Sequence, residues 1–411
     1  MDILQLNAPS KWKVSTVGES YIICNQLREP ISATVRESMK GEYPYYGPTQ
    51  VVDYLDHYRL DGKYALIGED GDHFLKYATR PMTQLATGKF NVNNHAHIIQ
   101  NTEECSVEWF YYFFMHTSIF PFLTRQGAGR YKLNKAALEQ IPILIPPLAE
   151  QRKIAEILST WDEAIDLTEQ LIAAKQRRKQ ALMQRLLTGQ VRFPGFEGYL
   201  HNNSLAQVGF IPSGWRIVRL KECLTEKPTY GANSPSIDYT PDLPRYIRIT
   251  DIKDGSTLDI DKKVSVPING NELYVLEDGD FLFARSGATV GKTYLYREQV
   301  GWAIYAGYLI RFRLDDHLLI PSFLKFYTQS KSYWDWVKST IRAGAQPNIN
   351  AQEYSDLPIL LPSISEQRKI VEFLETCDDE LTLHQQKLAA LRRQKQGLMQ
   401  PLLTGRVRVA G

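Results

Sequence analysis

Along two stretches of this chain, apolar positions recur at alternating steps of four and three. The first runs Ile154, Leu158, Trp161, Ile165, Thr168, Ile172, Lys175, Lys179, Leu182, Leu186. The second runs Ile370, Leu374, Cys377, Leu381, His384, Leu388, Leu391, Lys395, Leu398, Leu402. A repeat of about 3.5 residues is a coiled-coil seam on an α-helix. Start and stop signals bracket both. Ser363 and Glu366, after Pro362, form an S-x-x-E capping box, and Pro147 takes the Ser slot in the first copy. Thr188-Gly189 and Thr404-Gly405 supply the C-terminal stop, with Gly suited to a left-handed residue. Pro401, where the first copy has Arg185, is expected to loosen the last turn of the second helix.

The two stretches are copies. "IPILIPPLAEQRKIAEILSTWDEAIDLTEQ" opens at 141 and "LPILLPSISEQRKIVEFLETCDDELTLHQQ" at 357. They align without a gap at the offset that takes Glu150 to Glu366, with roughly half the positions identical. Two matching seams in one chain favour each other as partners. Polar steps at Thr168 and His384, and at Lys179 and Lys395, help set register. The alternative is a helix that packs only on its own domain. About 40 helical residues span roughly 60 Å, so such a pair holds things apart.

Each helix is preceded by a globular segment, 1–140 before the first and 194–356 before the second. Each opens alike, with "PSKW" at 9–12 and "PSGW" at 212–215. Each closes alike, with "GAGRYKLN" at 127–134 and "GAQPNIN" at 344–350, and the middles diverge. Short aromatic and β-branched runs broken by Gly, Asp and Pro ("YALIG", "HFLKYAT", "RYIRITDI", "DFLFA", "TYLYR", "YLIRFRL") predict mixed, strand-rich domains. Aromatic amphipathic helices are expected at 106–119 and 321–340, their rings serving the core. The division is 1–140, domain; 141–193, helix; 194–356, domain; 357–411, helix. The fold class is α+β: two mixed β-rich domains separated by two long helices, a pseudo-two-fold tandem repeat.

Composition narrows the class. The 411 residues are 43% hydrophobic and 23% charged, ordinary for a globular protein, with no apolar run long enough for a membrane span. The N-terminus lacks a basic, apolar leader, and Cys24, Cys105, Cys223 and Cys377 are scattered, which fits a reducing cytoplasm. A net charge of +2 puts any nucleic-acid contact in local patches. His95 and His97 form an H-x-H pair without an evident third ligand, so no metal is expected.

"ARSGATVGKT" at 284–293 resembles a P-loop, but Gly287 and Gly291 stand one residue too close. The aromatic, β-branched run after it is not the helix a phosphate loop opens. A strand–loop–strand with Arg285, Ser286, Thr289 and Lys292 at its tip suits DNA instead. Arg reads guanine bidentately, Lys and Ser/Thr hold phosphates, and Gly permits close approach. Methyltransferase and dinucleotide signatures are missing, so the chain is read as non-catalytic.

The chain resembles, over its full length, the specificity subunit of type I restriction–modification systems. The motifs that carry the resemblance are both "EQRKI…LLTG" copies, "IPSGW" at 211–215, "YIRITDI…G" at 246–255, "DGDFLFARSGATVGK" at 278–292, "AQPNIN" at 345–350 and "YPYYGPTQVVDYLDHYRLDGKYALIGEDG" at 43–71. The resemblance implies two target recognition domains, each reading one half of a bipartite, asymmetric site in double-stranded DNA. It implies an antiparallel coiled coil that sets the spacer and docks two methylation subunits, which restriction subunits can join. S-adenosylmethionine and ATP with Mg are expected on those partners, with no cofactor on this chain. The candidate DNA contacts are Tyr45, Tyr46, Thr49, Lys76, Arg80, Lys89 and Arg125 in the first domain. In the second they are Arg285, Ser286, Thr289, Lys292, Arg342, Gln346 and Asn348, with Gln and Asn suited to adenine. The basic strip Lys175, Arg177, Arg178, Lys179, Arg392, Arg393 and Lys395 is a solvated face or a phosphate or partner contact. The rival class is a coiled-coil protein–protein scaffold without DNA specificity.

Overall fold

The computed structural model describes residues 3, 4, 6–125, 130–197, 200–202, 210–259, 261–341 and 347–409. Its contacts divide the chain into two units: Met1–Gln170 with Gln385–Gly411, and Leu171–His384. Each unit therefore owns one globular segment and half of each long helix. That division crosses the helices, because each helix end is packed into a domain core.

The first long helix is Leu148–Leu187 and the second Ile364–Leu403. In the first unit, Asp162 pairs with Lys395 and Glu169 with Arg392. Numbers rise along one helix as they fall along the other, so the halves run antiparallel. In the second unit Lys175 pairs with Glu380 and Lys179 with Asp378, in the same sense. Four members of the basic strip are thus bound to acids of the facing helix. Among the described residues, Arg177, Arg178 and Arg393 have no such carboxylate.

The predicted seam divides its labour. In the first unit Ile154, Leu158 and Leu402 are buried in a core with Trp109, Phe113 and Met399. In the second, Ile370, Leu374 and Leu186 are buried with Phe323, Phe326 and Met183. Ile172 and Leu381 are buried, while Trp161, Ile165, Leu182, Leu388, Leu391 and Leu398 are half-buried. At the helix ends the seam residues of both helices therefore share a core with the domain, and between the ends they lie outside the domain cores. Thr168 is buried, and its Oγ1 donates to the Ala164 carbonyl of its own helix at 2.6 Å.

Helix ends follow local chemistry with two corrections. Ser363 Oγ accepts the Glu366 N–H at 3.4 Å, but the Glu366 carboxylate does not complete the capping box; it binds Arg192 and Trp215 instead. The expected loosening at Pro401 does not occur. The helix continues to Leu403, whose core burial holds the turn, and Val407 N–H reaches the Pro401 carbonyl as Val191 reaches Arg185. Gly189 and Gly405 take φ of +69° and +68°, and a Cβ would meet Pro212 at 2.2 Å and Pro9 at 2.4 Å. Only glycine fits both demands.

The similar openings and closings pair as two-stranded antiparallel ribbons: Lys13–Thr16 with Pro142–Ile145, and Arg216–Arg219 with Pro358–Leu361. Above each ribbon the domains differ. The first carries a six-stranded sheet, in the order Ile22–Ile23, Ala96–Gln100, Leu60–Gly68, Thr83–Val92, Lys40–Tyr46, Val51–Leu55. The second carries two four-stranded sheets. One runs Thr229–Tyr230, Leu309–Phe312, Phe281–Ala284, Thr293–Leu295, and the other Ile237–Asp238, Val264–Ser265, Arg245–Ile247, Ala303–Tyr305. Helix Val107–Met115 buries Trp109, Phe110, Phe113 and Phe114, so these rings are core. The 321–340 stretch is two helices, Pro321–Tyr327 and Lys331–Thr340, because the Ser330 hydroxyl accepts the Tyr333 N–H and starts a new one. "HFLKYAT" is not a strand: Asp72–Lys76 is a 3-10 turn inside a loop.

Two further sets recur, with Gln151 and Gln367, Glu150 and Glu366, and Arg192 and Arg408 at the repeat offset. Gln151 Oε1 accepts the Ser106 N–H at 2.9 Å, and Gln367 Oε1 accepts the Ile320 N–H at 2.9 Å, each tying a long helix to the cap of an aromatic one. Glu150 accepts Trp12 Nε1 at 2.9 Å and both arms of Arg408 at 2.7 and 2.8 Å. Glu366 accepts Trp215 Nε1 at 2.8 Å and both arms of Arg192 at 2.8 Å. In each clasp the guanidinium also lies over the indole ring, at 5.4 and 5.8 Å.

Candidate nucleic-acid interface

In the second unit the strand Phe281–Ala284 is wholly buried and emerges into the loop 285–292, which returns as Thr293–Leu295. The loop holds a short 3-10 turn, Gly287–Thr289, and leads into a strand rather than a helix, so this is a strand–loop–strand. Two buried tyrosines floor it. Tyr354 OH donates to the Ala284 carbonyl at 2.8 Å and accepts the Gly291 N–H at 3.1 Å, and Tyr333 OH donates to the Gly291 carbonyl at 2.7 Å. Burial pushes the Tyr354 phenol above its usual range, so it stays protonated and donates. Gly291 has φ of +86°, and a Cβ would sit 2.9 Å from Val337.

The closing segment zips onto this loop. Gly287 N–H donates to the Pro347 carbonyl at 3.0 Å, and Ile349 N–H to the Arg285 carbonyl at 2.8 Å. Asn348 therefore lies beside Arg285, whose Nε donates to its Oδ1 at 3.4 Å. The guanidinium rests 4.8 Å over the Tyr230 ring, and the Arg285 backbone N–H is held by the carbonyl of the exposed Tyr308. No carboxylate lies within 4 Å of Arg285 among the described residues, so its outer nitrogens are available to a base edge. Tyr230 and Tyr308 were missed in the sequence because each lies far from the loop in the chain. Thr289 Oγ1 donates to the Ser286 carbonyl at 3.2 Å, and Lys292 pairs with Asp254 at 2.8 Å. Those two are partly engaged within the protein. Arg342 and Gln346 lie outside the described residues.

The first unit uses the same construction. Leu133 N–H donates to the Glu69 carbonyl at 2.7 Å, and Gly71 N–H to the Tyr131 carbonyl at 3.0 Å. Residues 69–82, which leave the strand Leu60–Gly68 and return into Thr83–Val92, thus correspond to 285–292. Their chemistry is different. Glu69 is held by Arg28 at 2.5 Å and Lys132 at 3.3 Å, and Asp70 by His95 at 3.0 Å. Lys76 and Arg80 are exposed on this loop.

Other first-domain candidates separate. Tyr45 is corrected: it is 1% exposed, donates to the Glu29 carbonyl at 2.7 Å and accepts the Ile31 N–H at 3.0 Å. It has no face left for DNA. Tyr46 is half-buried against Phe90. Thr49 is exposed in the turn after Lys40–Tyr46, and Lys89 is exposed 4.6 Å over the Tyr58 ring. Arg125 is exposed 5.4 Å from the Tyr131 ring, on the short ribbon Thr124–Arg125 with Tyr131–Lys132. His95 and His97 do not converge: His97 is buried and bonded to the Leu133 carbonyl, while His95 faces Asp70.

The family model described as the type I restriction modification DNA specificity domain matches residues 9–175 and again 212–393. A type I restriction enzyme specificity subunit of Methanocaldococcus jannaschii is 24% identical over 98% of this chain and 95% of its own length. A Haemophilus influenzae protein that carries the name of such a subunit is 38% identical over 36% of each chain. The crystal structure of an S subunit of a type I restriction–modification system from M. genitalium shares the fold, with a TM-score of 0.61 at 16% identity over 97% of this chain and 98% of that one. With two separate matches that together span most of its length, one in each half of the repeat, the chain belongs to the type I restriction–modification DNA specificity family.

Proposed function

We propose that this chain is the non-catalytic DNA-reading subunit of a type I restriction–modification complex, each globular domain reading one half of a split, asymmetric site. The observation that carries the reading is one scaffold holding two unlike tips. In both units a closing segment is zipped to a strand–loop–strand, but one tip presents Arg285 beside Asn348 of its closing segment, and the other exposes Lys76 and Arg80, with Glu69 and Asp70 paired to Arg28, Lys132 and His95. Arg285 suits guanine and Asn348 suits adenine, whereas Lys76 and Arg80 suit phosphates and guanine. Different tips require different half-sites, so the target is not a palindrome.

The long helices set the distance between half-sites, about one DNA turn, and dock two methylation subunits; restriction subunits can join. S-adenosylmethionine and ATP with Mg belong to those partners, in the cytoplasm. Among the described residues no helix is long and apolar enough to cross a membrane.

A methylome tests this. The chain is co-expressed with its methylation subunit and modified adenines are mapped. A bipartite motif with a fixed spacer is expected. No new methylation from a complex shown to assemble would favour the protein–protein scaffold.

A further inference from the structure

The second unit holds a cleft of about 440 Å³ beside the end of the 281–295 hairpin where Phe281 faces Leu295. That is the opposite end of the four-residue strand Phe281–Ala284 from the Arg285 loop. Arg245, Ser256, Thr257, Lys263, Tyr294 and Lys325 contribute to its lining.

Arg245 is the unusual member. It issues from the interior of a four-stranded sheet and is only 6% exposed. Its Nη2 donates to the Asp259 carbonyl at 2.6 Å, and its Nε has no acceptor. Among the described residues no carboxylate lies within 4 Å of it. The other deeply buried arginine of this domain, Arg311, pairs with Glu226 at 3.2 Å and Asp280 at 3.8 Å. A buried guanidinium demands an anion or a full set of acceptors, and the described chain offers Arg245 neither.

The surrounding charges do not compensate it. Lys263 lies over the Tyr239 ring and Lys325 over the Phe326 ring, and neither has a carboxylate within 4 Å among the described residues. Arg297, also in the lining, is bound to Asp278 and to the Ser322 hydroxyl, and that hydroxyl donates to Glu375, the carboxylate of the lining. Three uncompensated cations and several hydroxyls around one concave space match the charge and the many acceptor oxygens of a phosphate better than those of a carboxylate.

We infer that this cleft binds a phosphate group, carried either by a small phosphorylated molecule of nucleotide size or by the DNA backbone. The first source does not depend on the DNA-reading function proposed above; the second rests on it.

The test uses the full chain and its Lys263→Gln/Lys325→Gln variant, both substitutions lying at the cleft rim rather than in the core. Thermal midpoints are read in inorganic phosphate against chloride at equal ionic strength, and duplex affinity is read against salt. A midpoint raised by phosphate in the parent, with apparent affinity at least about tenfold weaker in the variant, establishes the free-phosphate source. No phosphate-specific rise, but a salt slope reduced by about two in the variant with the preferred sequence kept, assigns the cleft to the DNA backbone. A phosphate-specific rise that the variant retains in full overturns the inference. So does a variant that changes neither the midpoint response nor the slope. Loss of the split recognition motif in the parent would instead refute the DNA reading and leave the free-phosphate arm standing.

Discussion

The two Glu–Arg–Trp clasps provide an internal comparison, since their chemistry is the same and their burial is not. Glu366 is 1% exposed and accepts three charge-assisted or indole bonds, while the Arg192 side chain is 11% exposed. Glu366→Gln keeps the shape but leaves a guanidinium nearly dry beside a neutral amide, one of whose positions is now a donor. Breaking a buried pair from one side costs about 3–5 kcal/mol. The first clasp is built on Glu150, itself 4% exposed, but its partner Arg408 is 36% exposed at the side chain. Water takes over solvation of that guanidinium when the carboxylate is lost, so Glu150→Gln costs much less. Urea titration monitored by hydrogen exchange reads each unit separately, on core amides of the two domains. The expected result is a large loss for Glu366→Gln confined to the second unit and a smaller one for Glu150→Gln confined to the first. An equal or larger loss for Glu150→Gln would refute the argument that burial of the cation decides the cost.

Arg285→Ala should relax sequence preference at one base position by about 1–3 kcal/mol, read on duplexes varied one base at a time; uniform weakening across sequences would remove Arg285 from base reading. Tyr45→Phe should lose about 1 kcal/mol of stability through the bond to the Glu29 carbonyl, with sequence preference unchanged; a changed preference would return Tyr45 to the interface. Gly291→Ala forces a side chain into a left-handed backbone 2.9 Å from Val337, and should cost about 1–3 kcal/mol and weaken DNA binding together. For pH, the hydrogen bonds from Arg408 hold Glu150 below the ordinary carboxylate value, against the opposing effect of burial. A depressed folded-state pKa contributes stability above the unfolded value near 4.5, lost as pH falls through the folded one. First-unit stability should therefore drop below pH about 4.5, and Glu150→Gln should flatten that part of the acid profile. An unchanged profile would count against the clasp.

Helix length and termini, the duplication, and the ribbon-forming openings and closings were legible in the chain because each rests on neighbours in sequence. A 3.5-residue period, a Ser at the cap and a Gly at the stop act within a turn or two. The strand–loop–strand at 281–295 was legible for the same reason, since the aromatic, β-branched run after Gly291 favours a strand over a helix. The 321–340 stretch misled because its aromatic period continues across Ser330, where a hydroxyl cap ends one helix and begins the next.

Side-chain partners were a different matter. The Glu366 carboxylate had a local option, its own cap, and took the distant Arg192 and Trp215 because a buried charge is better satisfied by a guanidinium than by one N–H. Tyr45 stands in an exposed-looking aromatic run, yet the segment 29–31 covers it and uses its hydroxyl. The correspondence of 69–82 with 285–292 has almost no sequence signal and became visible only when both closing segments were found zipped to their loops. Sequence by itself determined the repeated scaffold and its family, through periodicities that a helix or strand enforces locally. Tertiary structure decided which groups face water and which face each other, because desolvation and pairing are settled only when distant segments close over a site.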